Sequence, residues 1–343
     1  MAKALINSRI LLDVTDEQAE HIKKELTYKI PVYKAHGKGI GFEIIRNYIS
    51  IKRGILSIPQ GRLDLIPEGH EILERRVLAP IEFPEAKIPL RNQQVWVHEQ
   101  VQDSCFIHAQ VGWGKTFSAL HIAKKLGQKT LIIVHTVALR NQWATEVEKL
   151  FGINPGIIGS GEFNIDSPIV IGNTQSLIKH IDTISDKFGT VIVDEAHHCP
   201  SNTFTIMLDK MKSRFRIGLS GTVKRKDGKH IMFADYFSPQ VYAPELVGET
   251  MPPTIQILKS GVTLEGSSWA QKLNNLLYDP TYQAFIIGVA EHYLSLGHCV
   301  LIVSERTEFL EKCNLILGDR MNLIIGDTKD REVLLDEVRT GKK

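Results

Sequence analysis

Eight consecutive residues, Ala109-Gln110-Val111-Gly112-Trp113-Gly114-Lys115-Thr116, have the spacing of a phosphate-binding loop, with Ala109 where the plain pattern has its first glycine. Glycines there let backbone N–H groups turn onto phosphate oxygens, and a helix starting at Thr116 adds its positive end. Lys115 would reach the β- and γ-phosphates and Thr116 would ligate Mg2+. Gly112, Trp113, Gly114, Lys115 and Thr116 are therefore the phosphate-site candidates. About 80 residues further on, Val191-Ile192-Val193 delivers Asp194-Glu195-Ala196-His197. Ligands sit at the carboxyl ends of strands in parallel sheets. Asp194 is then placed for the Mg2+ shell and Glu195 for orienting and deprotonating a water. An acid-ended strand is common by itself, and so is a Gly-rich turn; the two together in this order are not. His197, His198 and Cys199 also allow a metal reading, but no second ligand pair at zinc spacing accompanies them.

The elements that must position these residues can be read around them. Cys105-Phe106-Ile107 reads as a strand and 116–126 as an amphipathic helix ending at Gly127. Leu131 to Val134, Ile169 to Ile171, Val191 to Val193 and Ile217 to Leu219 read as further strands, with a helix over 138–150. Continuous apolar strands between helices predict a parallel sheet covered on both faces. Before this region, residues 5–14 read as one strand. Thr15-Asp16-Glu17-Gln18 matches a capping box for a helix over about 16–28, which Ile30-Pro31 should end. Short strands across 42–66 complete a small α+β domain, and Pro80, Pro84 and Pro89 mark a connector. After Pro252-Pro253 the pattern predicts a strand, a helix pair across 268–296, and a strand over Val300 to Val303.

Length and composition bound the reading. The 343 residues exceed one ordinary domain, and 43% hydrophobic with 23% charged is enough apolar material for real cores. No run approaches a membrane span, and no signal-peptide pattern opens the chain. Four scattered cysteines without a CxxC pair indicate neither a disulfide framework nor a zinc site, and place the chain by default in a reducing cytoplasm. The net charge of +2 hides an asymmetry. Residues 29–62 hold seven basic residues (Lys29, Lys34, Lys38, Arg46, Lys52, Arg53, Arg62) against one acid, Glu43, which is +6, so the remaining residues sum to −4. Tyr33, Phe42 and Tyr48 are interleaved. Such a stretch is either a solvated face or a nucleic-acid groove.

With the two chemical motifs in place, the chain resembles the superfamily 2 helicases, in particular the branch that includes XPB and the phage helicase UvsW. Asp194-Glu195-Ala196-His197 is similar to that family's DEAH motif II, and the phosphate loop to its motif I. Leu90-Arg91-Asn92-Gln93-Gln94 resembles the "LRPYQ" element, with Asn92 and Gln93 departing from Pro-Tyr. Val134 to Trp143 resembles motif Ia, "VPTxxLxxQW", with His135 in place of Pro. Ile169 to Leu177 resembles "VATYQSL". Gly218 to Gly228 resembles "GLTGTPxRxDG", with Val223 in place of Pro. Val300 to Arg306 with Leu310, and Ile325 to Thr328 with Arg331, resemble the opening of a second RecA-like domain.

The resemblance implies an α/β fold: a P-loop RecA-like parallel-sheet domain over 86–245, a small N-terminal α+β domain over 1–85 with a DNA-binding role, and a linker with a partial second RecA-like domain over 246–343. It implies an ATP-dependent DNA helicase or translocase that unwinds or branch-migrates, using ATP and Mg2+ on forked, branched or duplex DNA. An RNA helicase, or a motor that moves on duplex without unwinding, are the alternatives. Gln94 would read adenine, Arg91 would bind the nucleotide beside it, and Lys115, Asp194, Glu195 and His197 would carry catalysis. Thr116 and Asp194 would hold Mg2+, while Ser220 and Thr222 would couple the γ-phosphate to the DNA face. Thr136, Arg140, Asn173, Thr174 and Gln175 would hold DNA, joined by Lys34, Lys38, Lys52 and Arg53 of the basic stretch. The family's "QxxGRxxR" element is not found, so the expectation is a C-terminally truncated chain with impaired turnover. A monomer without membrane contact, in host cytoplasm if phage-encoded, completes the expectation.

Overall fold

The computed structural model describes residues 2–33, 40–198, 202–222, 228–245, 254–326, 328 and 331–340. Met1–Glu249 forms one compact unit and Thr250–Lys343 another.

The first unit begins with β1 (Lys3–Ile6) and β2 (Arg9–Asp13), followed by α1 (Asp16–Glu25), β3 (Thr27–Tyr33), β4 (Ile40–Arg46), β5 (Ile49–Lys52), β6 (Ile55–Pro59) and β7 (Glu71–Glu74). Residues 5–14 are thus not one strand. The chain reverses at Asn7-Ser8, and β1 pairs antiparallel with β2 so that Ala4, Ile6, Ile10 and Leu12 all enter one core. Helix α1 starts on the expected capping box, with Thr15 and Gln18 bonded reciprocally. It stops at Leu26 rather than near 28, and Ile30-Pro31 lies inside β3. Proline is tolerated there because, among the described residues, β3 pairs with β4 alone, as a two-stranded ribbon. The remaining strands form a five-stranded sheet ordered β5-β6-β2-β1-β7.

This sheet and ribbon are bolted to the rest of the unit. Arg9 donates from one guanidinium nitrogen, Nη1, to both carboxylate oxygens of Asp209, at 3.0 and 2.9 Å. Gly61 donates its N–H to Asp235 O at 3.1 Å, and a Cβ on residue 61 would fall 2.2 Å from Ala234 O. Only glycine allows that approach.

The larger sheet uses β8 (Cys105–His108), β9 (Thr130–Val134), β10 (Gly156–Gly159), β11 (Glu162–Phe163), β12 (Ile169–Asn173), β13 (Thr190–Val193), β14 (Phe215–Ser220) and β15 (Val241–Tyr242), ordered β11-β10-β12-β9-β13-β14-β8-β15. All pairs are parallel except β10 with β11. Its helices are α2 (Asn92–Gln100), α3 (Lys115–Leu126), α4 (Val137–Phe151), the single turns α5 (Thr174–Leu177) and α6 (Ile181–Ile184), α7 (Asn202–Lys210) and the turn α8 (Phe233–Tyr236). Apolar clusters on both faces account for the unbroken runs in β9, β12 and β13. One face carries Leu131, Ile133, Val191 and Val193, and the other Ile132, Ile171 and Ile192.

The second unit contains α9 (Trp269–Tyr278), α10 (Pro280–Ser295), α11 (Thr307–Leu317) and α12 (Arg331–Arg339). The expected helix pair is present, and Asp279 caps α10 by accepting from Thr281 and Tyr282 N–H groups. The two expected strands are not formed among the described residues. Leu301 and Val303 are 86% and 80% exposed, and no described residue offers them a ladder partner. An apolar run becomes a strand only where a neighbour takes up its backbone bonds. No helix among the described residues is long and apolar enough to cross a membrane.

Candidate nucleotide and nucleic-acid site

The phosphate loop occupies the turn from β8 into α3. Gly112 and Gly114 have φ of 85° and 94°, and Gly114 is the residue that caps α3. The loop is anchored at its start, where Ala109 N donates to Ser220 O at 3.1 Å. It is anchored in the middle by Trp113, which is fully buried with Val97, Ala119 and Leu120. Lys115 Nζ donates to Ala109 O at 2.9 Å and Gln110 O at 3.3 Å, so its ammonium lies inside the curl of the loop where phosphate oxygens would compete for it. Thr116 follows on the first turn of α3, half-buried.

Gln94 is buried against the same loop. Its Oε1 accepts from Arg91 N at 2.9 Å, and its Nε2 donates to Trp113 O and Gly114 O at 3.1 and 3.2 Å. A Cβ on residue 114 would lie 2.4 Å from that Nε2. Arg91 is exposed beside it.

At the end of β13, Asp194 is 8% exposed. Its Oδ1 accepts from Glu195 N at 2.9 Å and its Oδ2 from the Trp143 indole N–H at 2.8 Å. Glu195 takes φ 48°, a left-handed conformation rare outside glycine. This turn resolves the geometry of adjacent strand residues pointing apart. His197 Nδ1 lies 3.0 Å from Glu195 Oε2 and 3.0 Å from Ser220 Oγ. Ser220 Oγ donates to Thr222 O at 2.9 Å and accepts from Thr222 N at 3.0 Å. His197 thereby links the Glu195 carboxylate to the Ser220 hydroxyl, and Ser220 links on to the Thr222 backbone. A Cβ at Gly221 would sit 3.5 Å from Lys115 Nζ. Lys115, Asp194, Glu195, His197, Ser220 and Thr222 thus gather at the carboxyl ends of β8, β13 and β14. Thr116 and Asp194 offer hard oxygen donors beside an N-terminal helix turn, a donor set that fits Mg2+.

The nucleic-acid candidates divide by exposure. Thr136 caps α4, its Oγ1 accepting from Leu139 N at 3.2 Å, and is exposed with Gln175. Arg140, Asn173 and Thr174 are buried. Arg140 donates to Ser160 Oγ at 3.1 Å, and Thr174 Oγ1 to Val134 O at 3.2 Å. Of the basic stretch, Lys34 and Lys38 lie outside the described residues, as do Cys199 and Val223 to Asp227. Lys52 is exposed, and Arg53 pairs with Asp16 at 2.8 Å on the surface. Arg62 does not belong to a basic surface. It is 9% exposed and bonds Asp64 and the fully buried Asp235.

The ribbon β3–β4 has two different faces. Tyr28 and Ile30 face inward, where Tyr28 donates to Asp235 Oδ1 at 2.8 Å and Ile30 joins the sheet's core. The outward face pairs Lys29 with Ile44 and Pro31 with Phe42. Lys29 Nζ lies 4.3 Å from the Phe42 ring centroid, and Phe42 and Ile44 are 56% and 55% exposed. Period-2 alternation could have separated these faces had β3 been read as a strand through Pro31. Trp143 and Asp235 carried no signal of their role, because both partners lie far away in sequence.

A family model, "Type III restriction enzyme, res subunit", matches residues 73–225. A protein of Escherichia phage T5 named as a probable helicase is 41% identical over 317 residues, which cover 90% of this chain and 69% of the phage protein. A DNA 3'-5' translocase of the XPB type from Sulfurisphaera tokodaii is 35% identical over 187 residues, 52% of this chain and 42% of that protein. Among solved structures, the UvsW helicase of bacteriophage T4 shares the fold, with a TM-score of 0.53 and 15% identity over 98% of this chain and 78% of the other.

Proposed function

The chain belongs to the superfamily 2 helicases, and from that premise we propose that it is an ATP-driven motor on DNA of the XPB/UvsW-like branch, whose ATP site is built around Lys115 and Asp194. The observation that carries this reading is the convergence of the phosphate loop, the acidic strand end and the His197–Ser220–Thr222 chain at the carboxyl ends of neighbouring parallel strands.

In this reading Lys115 exchanges Ala109 O and Gln110 O for the β- and γ-phosphates. Thr116 and Asp194 hold Mg2+, which when bound neutralises charge developing on the transferred phosphoryl group. Glu195, held at the strand end by its left-handed turn, orients the attacking water and accepts its proton. His197 binds Glu195 and Ser220 together, so a shift of the glutamate on hydrolysis reaches Thr222 and the segment after it. Gln94 and Arg91 border the loop where the nucleotide base would lie. Thr136 and Gln175 contact the DNA backbone, while Arg140, Asn173 and Thr174 shape the surface behind them. The outward face of β3–β4, with Lys29, Phe42, Ile44 and Arg46, adds a second grip in which the aromatic ring stacks on a base and the cations meet phosphate. Residues 1–85, 86–245 and 246–343 serve as DNA grip, ATPase core and second-lobe segment.

The choice of DNA over RNA rests on the DNA translocase relative and on the QW form of motif Ia. The test compares stimulation of ATP hydrolysis by forked DNA, linear duplex and RNA, with strand displacement followed on the fork. Greater stimulation by DNA is expected. Stimulation by RNA alone would overturn the DNA reading, and stimulation by duplex without displacement would make the protein a non-unwinding translocase.

A further inference from the structure

Trp143 is one of the largest fully buried side chains, 1% exposed, on the helix α4. Burial of an indole is ordinary; the partner of its N–H is not. It donates at 2.8 Å to Oδ2 of Asp194, across 51 residues of sequence. With Glu195 N donating to Oδ1 at 2.9 Å, each oxygen of the Asp194 carboxylate accepts from its own donor. The same helix starts at Thr136 and carries Arg140 one turn before Trp143. Residues three apart lie on neighbouring positions of a helix face. A single rigid element therefore runs from the proposed nucleic-acid surface to the proposed Mg2+ ligand. A slide of α4 by a fraction of its 5.4 Å pitch would carry the indole beyond hydrogen-bond reach of Oδ2.

We propose that Trp143 is a positioning residue: its indole N–H orients the Asp194 carboxylate for Mg2+ and transmits movement of α4 on nucleic acid to the nucleotide site. This deepens, and rests on, the reading of Lys115 and Asp194 as a Mg2+·ATP site. Groups that hold a metal ligand in place typically change metal affinity ~10–100-fold when removed.

The test is Trp143→Phe, which keeps an aromatic ring and removes the donor. Binding of a fluorescent ATP analogue is titrated with Mg2+. The expected result is a Mg2+ midpoint raised about ten-fold, with analogue binding in the absence of Mg2+ unchanged and the response of the midpoint to DNA lost. Val147→Ala, four residues on and equally buried but without a bond to Asp194, is the control and keeps the parent midpoint. Equal shifts in the two variants mean that only packing matters, and overturn the proposal. So does a parent-like midpoint in Trp143→Phe. If the parent shows no Mg2+-dependent nucleotide binding, it is the reading of the site that fails instead. Should Trp143→Phe not fold, the Trp143 indole N–H resonance of the parent is followed through the Mg2+ titration with ADP. It moves at the analogue's midpoint if the proposal holds, and stays unmoved if it does not.

Discussion

Replacing Asp235 by alanine tests how the N-terminal sheet and ribbon are held on the ATPase core. The carboxylate is fully buried and accepts from Tyr28 Oη at 2.8 Å, Asn47 Nδ2 at 2.7 Å and Arg62 Nη1 at 3.4 Å. Burial pushes the Asp235 carboxyl upward, and the three donors oppose that. Removing one member of a buried ion pair costs ~3–5 kcal/mol, because its partner stays buried. Arg62 keeps a second carboxylate, Asp64, at 3.0 Å, which places the loss near the lower end, at about 3 kcal/mol. For a unit of this size each kcal/mol moves Tm by ~2–4 °C, so Asp235→Ala should lower Tm by roughly 6–12 °C. The assay is thermal unfolding of the parent, Asp235→Ala, Tyr28→Phe and the double variant. Tyr28→Phe alone loses a hydrogen bond to a charged group, worth ~1.5–3 kcal/mol, and should cost much less in the Asp235→Ala background. A Tm of Asp235→Ala close to the parent's, or full additivity of the two changes, would refute the account of this contact.

Five further variants have outcomes set by the geometry. Lys115→Ala removes the ammonium inside the phosphate loop and should abolish ATP binding, whereas Glu195→Gln should keep binding and lose ~10²–10⁴ in turnover, read by analogue fluorescence and phosphate release. Phe42→Ala should weaken single-stranded DNA binding by ~1–3 kcal/mol, and Lys29→Ala should flatten the salt dependence by nearly one charge, ~0.7–0.9 in log–log slope, both by fluorescence anisotropy. At Asp103, burial alone would raise the carboxyl, but the Arg214 fork at 2.6 and 2.7 Å and the Ser104 N–H outweigh it and hold it below the usual range. The folded protein then binds this proton less readily than the unfolded chain, so the stabilisation is present above the ordinary carboxylate range and is lost as pH falls through the lowered folded value. Acid melts of Arg214→Gln should lack that part of the decline.

What could be read from the sequence was whatever the local chain must do by itself. The phosphate loop needs two left-handed glycines between a strand and a helix, and Gly112 and Gly114 supply them. The buried parallel strands are unbroken apolar runs, because both faces are covered. Less local features were misread or invisible. Residues 5–14 looked like one strand because Asn7-Ser8 is a weak turn signal between two aliphatic runs that face the same core. Pro31 looked like a stop because its tolerance depends on β3 having only one neighbour. Arg62 has the composition of surface charge in the sequence, and its buried partner Asp235 lies 173 residues away. Val300 to Val303 has the composition of a strand, but backbone pairing is a property of its neighbours. At the site, residue types were legible and partners were not: nothing near Trp143 announces Asp194, and nothing near Arg140 announces Ser160.

In the proposed function one site, centred on Lys115 and Asp194, couples ATP hydrolysis to DNA. Its most direct test is the steady-state rate of ATP hydrolysis by the purified protein with and without DNA, beside Lys115→Ala under the same conditions. The account predicts a rate that rises on adding DNA and is absent in Lys115→Ala. Hydrolysis indifferent to DNA, or surviving the loss of Lys115, would contradict it.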